Sequence, residues 1–194
     1  EIGGTVEDQG DAFSDLGVLF ILIVILVYIV MATQFESLLF PFIIMFTIPF
    51  AFTGVFLALW MTSTPLSLIA LIGAIMLVGI VTKNGIVMVD YMNLLVERGS
   101  GVFDAVIAGG KSRLRPVLMT SFTTILGMLP LAIGTGAGSE TWQPMGIAVI
   151  GGLTCSTLLT LFIIPALYSV FVNRSQRKEK EKLARLSAEH QASV

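Results

Sequence analysis

The sequence predicts an all-α integral membrane protein with five transmembrane helices, and three observations carry that prediction. First, its 194 residues are 55% hydrophobic and only 12% charged, with a mean hydropathy of +0.92. Second, the charges are bunched. They leave uncharged runs of 20 residues between Asp15 and Glu36, 46 between Glu36 and Lys83, 24 between Arg115 and Glu140, and 33 between Glu140 and Arg174. A bilayer-crossing helix needs about 20 apolar residues, roughly twice what a soluble core helix uses. Third, ten of the eleven basic residues fall in two segments, 98–115 and 174–185. A soluble enzyme is excluded by this composition. No nucleotide-binding loop, zinc motif or nucleophile constellation appears, so no catalytic, metal or cofactor site is assigned and no nucleic-acid partner is expected.

The elements follow in order. Residues 1–15 are polar, Gly-rich and acidic, as expected for the end of a water-exposed domain, and the Glu-Ile-Gly-Gly opening without an initiator Met is expected of a piece of a larger protein. The first span covers about 16–32. A tight turn, TQFESLLFP, follows, and Pro41 suits the first turn of the next helix, where its missing N–H costs nothing. The second span covers about 42–60, with Pro49 accommodated inside it. MTSTP is a hairpin loop. The third span, about 66–97, is longer than the hydrocarbon core requires, so it tilts or protrudes. In the mixed segment that follows, 102–108 forms one short amphipathic helix. The fourth span runs from about Pro116 to Ile133, GTGAGSETWQP is a Gly-rich loop, and the fifth span covers about 145–172. Residues 173–194 form a charged tail in a helix-compatible pattern, solvated or lying on the lipid surface, in which His190 has no assigned role. Cys155, the one cysteine, lies in an apolar span and reads as a small buried hydrophobe.

Basic residues mark the cytoplasmic side. Arg98, Lys111, Arg113 and Arg115, and the tail from Arg174 to Arg185, are two spans apart and therefore on one side. The N-terminal stretch, MTSTP and GTGAGSETWQP hold no Lys or Arg, which puts them outside and the C-terminus in the cytoplasm.

The eleventh basic residue is Lys83. At 1.5 Å per residue it lies roughly 25 Å from Leu66 and roughly 21 Å from Glu97, near the bilayer midplane. A lysine there costs about 2.5–3.5 kcal/mol on insertion scales, and such residues usually pair and usually serve ion or proton coupling. The plainer readings are a structural ion pair or a snorkelling side chain, the latter opposed by a lysine's reach, only a fraction of the way to either surface. The stripe it shares, Met76, Gly79, Val87 and Asp90, is less bulky and less apolar than the Leu-rich flanks, so Lys83 is expected to face the bundle interior or a surface where more protein docks. Asp90, the one acidic residue well inside a span, is about 10 Å further along the helix, too far to pair directly. The carboxylate that Lys83 needs must come from elsewhere. Gly73, Gly79 and Gly85, and Gly146, Gly151 and Gly152, are read as close-packing positions. Thr120, Ser121, Thr123 and Thr124 would ordinarily be hydroxyls bonded back to their own helix.

The stretches GIVTKNGIVMVDY, KSRLRPVLMTS, GMLPLAIGTGAG and QFESLLFPFIIMFTIPFAFTG, in this order, resemble the resistance–nodulation–division (RND) exporters over essentially all of 16–172. The resemblance implies the last five of twelve membrane helices, the C-terminal part of an RND half-repeat, with residues 1–15 the end of a periplasmic porter region. It implies a proton relay in which Lys83, Thr120 and Arg113 take the places of the family's lysine, threonine and arginine, with Asn84 beside the lysine. The paired aspartates of that relay would lie in the N-terminal half of the same protein. It further implies the hydrophobe/amphiphile (multidrug) branch, because metal-ion pumps of the family depart from the Lys-Asn pair. A homotrimer in the bacterial inner membrane, joined to a periplasmic adaptor and an outer-membrane channel, would be the working assembly. Two other readings are a protein-export accessory of the SecD/SecF type, which would lack the KN and RLRPVLMTS motifs, and a non-transporting membrane scaffold.

The basic-residue asymmetry makes a testable statement about topology. Cysteines placed singly at residues 63 and 138 should react with an impermeant thiol reagent from outside, and those at 105 and 180 only after permeabilisation. External labelling at 180 would overturn the odd number of spans.

Overall fold

The computed structural model describes residues 2–134, 136 and 138–192, with side chains over 8–134, 136 and 138–174. Six helices follow one another: α1 (Ile2–Phe35), α2 (Leu39–Met45), α3 (Ile48–Met61), α4 (Leu68–Glu97), α5 (Val102–Ile133) and α6 (Ser139–Ala192). Five stretches are long and apolar enough to cross a membrane, α2 and α3 together making one of them. The fold class is therefore all-α with five span-capable segments.

Four helix boundaries differ from the sequence reading, two of them at prolines. The second span is broken at Phe46–Thr47, because Pro49 cannot donate an N–H to residue 45 and its ring would crowd that carbonyl. The chain restarts with Pro49 in the first turn of α3, and the buried Thr47 hydroxyl donates to Ile44 O at 2.6 Å. The segment 102–108 is not a separate amphipathic helix, because α5 is continuous over 32 residues with Pro116 inside it. Pro116 is exposed, as is Ser112 four residues earlier, so the carbonyl that loses its donor lies on the outer side of the helix. At the start of the last span, α6 begins at Ser139 rather than Met145, and at its end the helix runs on through 192. Similarly, α1 already begins at Ile2, within the polar opening.

The helix ends are made by local chemistry. Ser67 caps α4, its Oγ accepting from Ala70 N at 3.2 Å, a contact typically worth about 1 kcal/mol. Gly134 ends α5 at φ 71°, the left-handed conformation that a residue with a Cβ adopts only at a cost. Across that turn the Gln143 carboxamide donates to Ala132 O at 3.0 Å and ties the start of α6 to the end of α5.

Packing centres on α6 and α4. One core joins Ala51, Val55 and Leu59 of α3 to Ala74, Leu77 and Val81 of α4 and to Ala148 and Leu153 of α6. A second, nearer the α4–α5 turn, joins Met31, Ile43 and Ile44 to Met88, Met92, Ile164 and Tyr168. There the Tyr168 hydroxyl donates to Asn93 Oδ1, and its ring stacks on Phe40 at 5.8 Å. By contrast, α1 leaves Val18, Leu22, Ile25 and Ile29 more than half exposed, as expected of a helix that faces lipid.

The tightest point is the crossing of α3 and α6. A Cβ on Gly54 would stand 2.7 Å from Gly151 O, one on Gly151 would stand 2.9 Å from Gly54 O, and one on Gly152 would meet Val55 at 2.8 Å. The two backbones touch because these residues have no side chains. Overpacking usually costs about 1–3 kcal/mol. Gly151→Val should therefore lower the unfolding midpoint in detergent by that order, whereas Gly79→Val, with open space around its Cβ, should leave it within error.

Candidate functional site

The candidate site is built on one stripe of α4. Spacings of three and four residues put Ile72, Met76, Gly79, Lys83, Asp90 and Leu94 on a single helix face, and all six are exposed. The opposite face, from Ala70, Gly73 and Ala74 through Leu77 and Val81 to Met88 and Met92, is buried against the bundle. Lys83 is thus on the open surface, not in the interior of the five-span bundle. Gly79, one turn away, has nothing within 4 Å of where a Cβ would stand. The face beside the lysine is therefore shallow and unoccupied among the described residues.

The other relay candidates are placed as follows. Asn84 is buried, turned about 100° around the helix from Lys83. Thr120 is exposed on α5, and its hydroxyl donates to Pro116 O at 2.9 Å. The Arg113 guanidinium lies over the Tyr91 ring, 4.6 Å from its centroid, and its buried Nε has no acceptor among the described residues. A cation over a tyrosine face gains roughly 0.5–2 kcal/mol depending on desolvation. Among the described residues no hydrogen bond joins Lys83, Asn84, Thr120 and Arg113 to one another.

The length of α5 brings Lys83 and Thr120 to one level. Lys83 is 14 residues before the end of α4 and Thr120 is 18 residues after the start of α5, about 21 Å and about 27 Å from their shared turn. Gly109 packs on Met92 lower in the same hairpin, which offsets the two helices by about two residues and narrows the difference to about one turn or less. A fourth span starting at Pro116 would have left Thr120 near the surface; the continuous helix removes that mismatch. Arg113 sits about 10 Å closer to the turn, level with Tyr91.

Two features escaped the sequence reading. Thr82, Ser121, Ser156, Thr157 and Thr160 all carry buried hydroxyls. Ser121 and Thr157 share a hydrogen bond of 2.8 Å between α5 and α6, while Thr82 Oγ1 and Thr160 Oγ1 have no partner among the described residues. The run TCSTLLT at 154–160, dense in hydroxyls for an apolar span, was the available signal. Secondly, Asp90 lines a polar cavity of about 260 Å³ with Glu36, Asn93 and Glu97, beside the end of α1.

The model of the AcrB/AcrD/AcrF family matches residues 1–172. The chain belongs to that family of RND efflux transporters. Among curated relatives it is 44% identical over 156 residues to the multidrug resistance protein MdtC of Erwinia tasmaniensis, covering 79% of this chain and 15% of that one. It is 38% identical over 179 residues both to the swarming motility protein SwrC of Bacillus subtilis and to the cobalt-zinc-cadmium resistance protein CzcA of Cupriavidus metallidurans. These alignments cover 92% of this chain and 17% and 16% of those relatives. A crystal structure of a heavy metal efflux pump superposes with a TM-score of 0.78 at 32% identity, over 86% of this chain and 16% of that one. The chain spans about one sixth of the length of the curated relatives it matches.

Burial separates the roles of adjacent residues in this RND chain. Lys83→Ala removes an exposed side chain and should change the unfolding midpoint by no more than about 0.5 kcal/mol equivalent, the usual range for surface substitutions. Asn84→Leu forces a branched side chain into a filled site and should cost about 1–3 kcal/mol. Circular dichroism melts in detergent measure both, and a large loss in Lys83→Ala would make the lysine a structural residue.

Proposed function

We propose that the chain is the lysine-bearing portion of a proton-motive-force-driven antiporter that exports amphiphilic compounds across the bacterial inner membrane. The observation that supports it most is Lys83: one cation midway along a 30-residue apolar helix, on an exposed stripe with open space at Gly79. Such a charge in lipid needs a carboxylate, and the stripe offers a docking face for a helix that brings one. In the RND reading that helix carries the paired aspartates of the N-terminal half. An ammonium between two carboxylates favours their charged forms. Protonating one carboxylate releases the lysine toward Thr120, which stands at its level. Alternation between the two arrangements repacks the helices, and the porter domain converts the repacking into export. Asn84 and Arg113 act around this pair, Arg113 steadied by Tyr91. The working unit is a trimer with a periplasmic adaptor and an outer-membrane channel, the C-terminus in the cytoplasm.

Amphiphile export is supported by the Lys83–Asn84 pair and by the likeness to MdtC at 44%. A second reading, export of divalent metal ions, draws on the 38% likeness to CzcA and the superposition on a heavy metal pump. Transport into vesicles carrying the complete protein and an imposed pH gradient separates them. Wild type should move a fluorescent amphiphile and not zinc or cobalt; the reverse result would select the metal reading. Lys83→Ala and Thr120→Ala should each abolish transport with assembly intact. Lys83→Arg should not restore it, because a bulkier, always-charged guanidinium does not relax as an ammonium does. Near-normal export by Lys83→Ala would sink the proposal.

A further inference from the structure

At the end of the bundle opposite the α4–α5 turn, a cavity of about 730 Å³ opens between the loop after α3, the end of α5 and the start of α6. It is the wedge left where α3 and α6 part beyond their contact at Gly151, which lines its base. The hydrogen bond from Gln143 to Ala132 O and the contact of Gly146 with Ala132 hold the α5–α6 wall in place. Met61, Ile147 and Ile150 make the sides apolar, and Ser63 and Thr64 add hydroxyls. Its volume falls within the roughly 300–1,000 Å³ of small-molecule sites.

Two further observations define what fits. Both tryptophans of the chain stand at this end, Trp60 82% and Trp142 50% exposed. Tryptophan concentrates at the membrane–water boundary, so the cavity lies at the depth where an amphiphile keeps its head in water and its body in hydrocarbon. The second observation is charge. Glu140 is the one charged residue among those lining the cavity, and the one charged residue between Arg115 and Arg174. It stands in the first turn of α6 and is exposed. That position also suits an acidic residue for the helix alone, since the N-terminal dipole favours a negative charge, and the two roles give different results below.

We propose that this cavity binds cationic amphiphiles, the apolar body against Met61, Ile147 and Ile150 and the cationic head beside Glu140. The inference rests on the amphiphile-export reading for its biological role, since it names a place where such a compound is held at the outer face of the membrane. Binding, however, is measured at equilibrium without a pH gradient, so its failure is separate from a failure of coupling at Lys83.

The test uses the full-length protein in lipid nanodiscs with Cys155→Ala and Ser63→Cys, so that the introduced thiol reports on this cavity. Rhodamine 6G, a cation, and Nile red, which is neutral, are titrated against labelling by a soluble maleimide. Both should protect the thiol. Glu140→Gln should raise the half-protecting concentration of rhodamine 6G about tenfold, corresponding to about 1.4 kcal/mol, and leave that of Nile red unchanged. Ile150→Trp, which fills the cavity, should weaken protection by both. Equal protection by rhodamine 6G in Glu140→Gln overturns the proposal, as does an equal loss of both probes there, which would reduce Glu140 to a helix-end residue. A thiol that reacts with nothing, or that neither probe protects, also overturns it.

Discussion

The arrangement depends on the approach of two backbones, α3 and α6, at Gly54, Gly151 and Gly152. In a bilayer, apolar side chains gain little by leaving lipid for protein, so helices are held by close van der Waals contact. Where α3 and α6 touch, Leu77 of α4 fits over Gly152, and that contact fixes the rotation of α4. Once Leu77, Gly73 and Gly85 face inward, the stripe containing Lys83 must face outward, since a helix turns about 100° per residue. The same crossing sets where the helices diverge, and so where the cavity near Glu140 opens. One small-residue contact thus orients both the charge and the cavity.

Much of this was legible in the sequence because membrane helices are specified by length and charge. Uncharged runs delimit spans, and one lysine at the end of 46 uncharged residues announces itself. The boundaries were less legible where proline was involved. Pro49 and Pro116 carry the same local chemistry, yet one marks a break and the other sits in a continuous helix. The difference lies in the surroundings: at the break the buried Thr47 hydroxyl donates to Ile44 O, whereas Pro116 leaves its orphaned carbonyl on an exposed side. Nothing in either tripeptide encodes that. A helix beginning at Pro116 would put Thr120 only about 6 Å along it, well short of the level of Lys83. The orientation of Lys83 was left between interior and open surface, because it depends on the glycine contacts across three helices.

The buried hydroxyl pair between α5 and α6 was missed for a different reason. Serine and threonine inside apolar spans commonly bond to the carbonyl four residues back, as Thr33, Thr53, Thr123, Thr124 and Thr154 do here. Ser121 and Thr157 instead find each other across α5 and α6, a pairing that spacing along one helix cannot reveal. In lipid such interhelical bonds average about 0.6 kcal/mol, so the pair adds register more than stability. It lies one residue from Thr120, so the register it fixes is the one that matters to the relay proposed above.

The link between α4 and α5 is four residues, 98–101, with Gly99 at φ 89°. Two helices of about 45 Å and about 48 Å joined so tightly would tilt as one hairpin about that turn. A tilt of about 10° in such an arm carries its far end sideways by about 8 Å, more than the width of a methionine side chain. A small rearrangement of charge halfway along α4 would therefore arrive, enlarged, at the loops on the opposite face of the membrane.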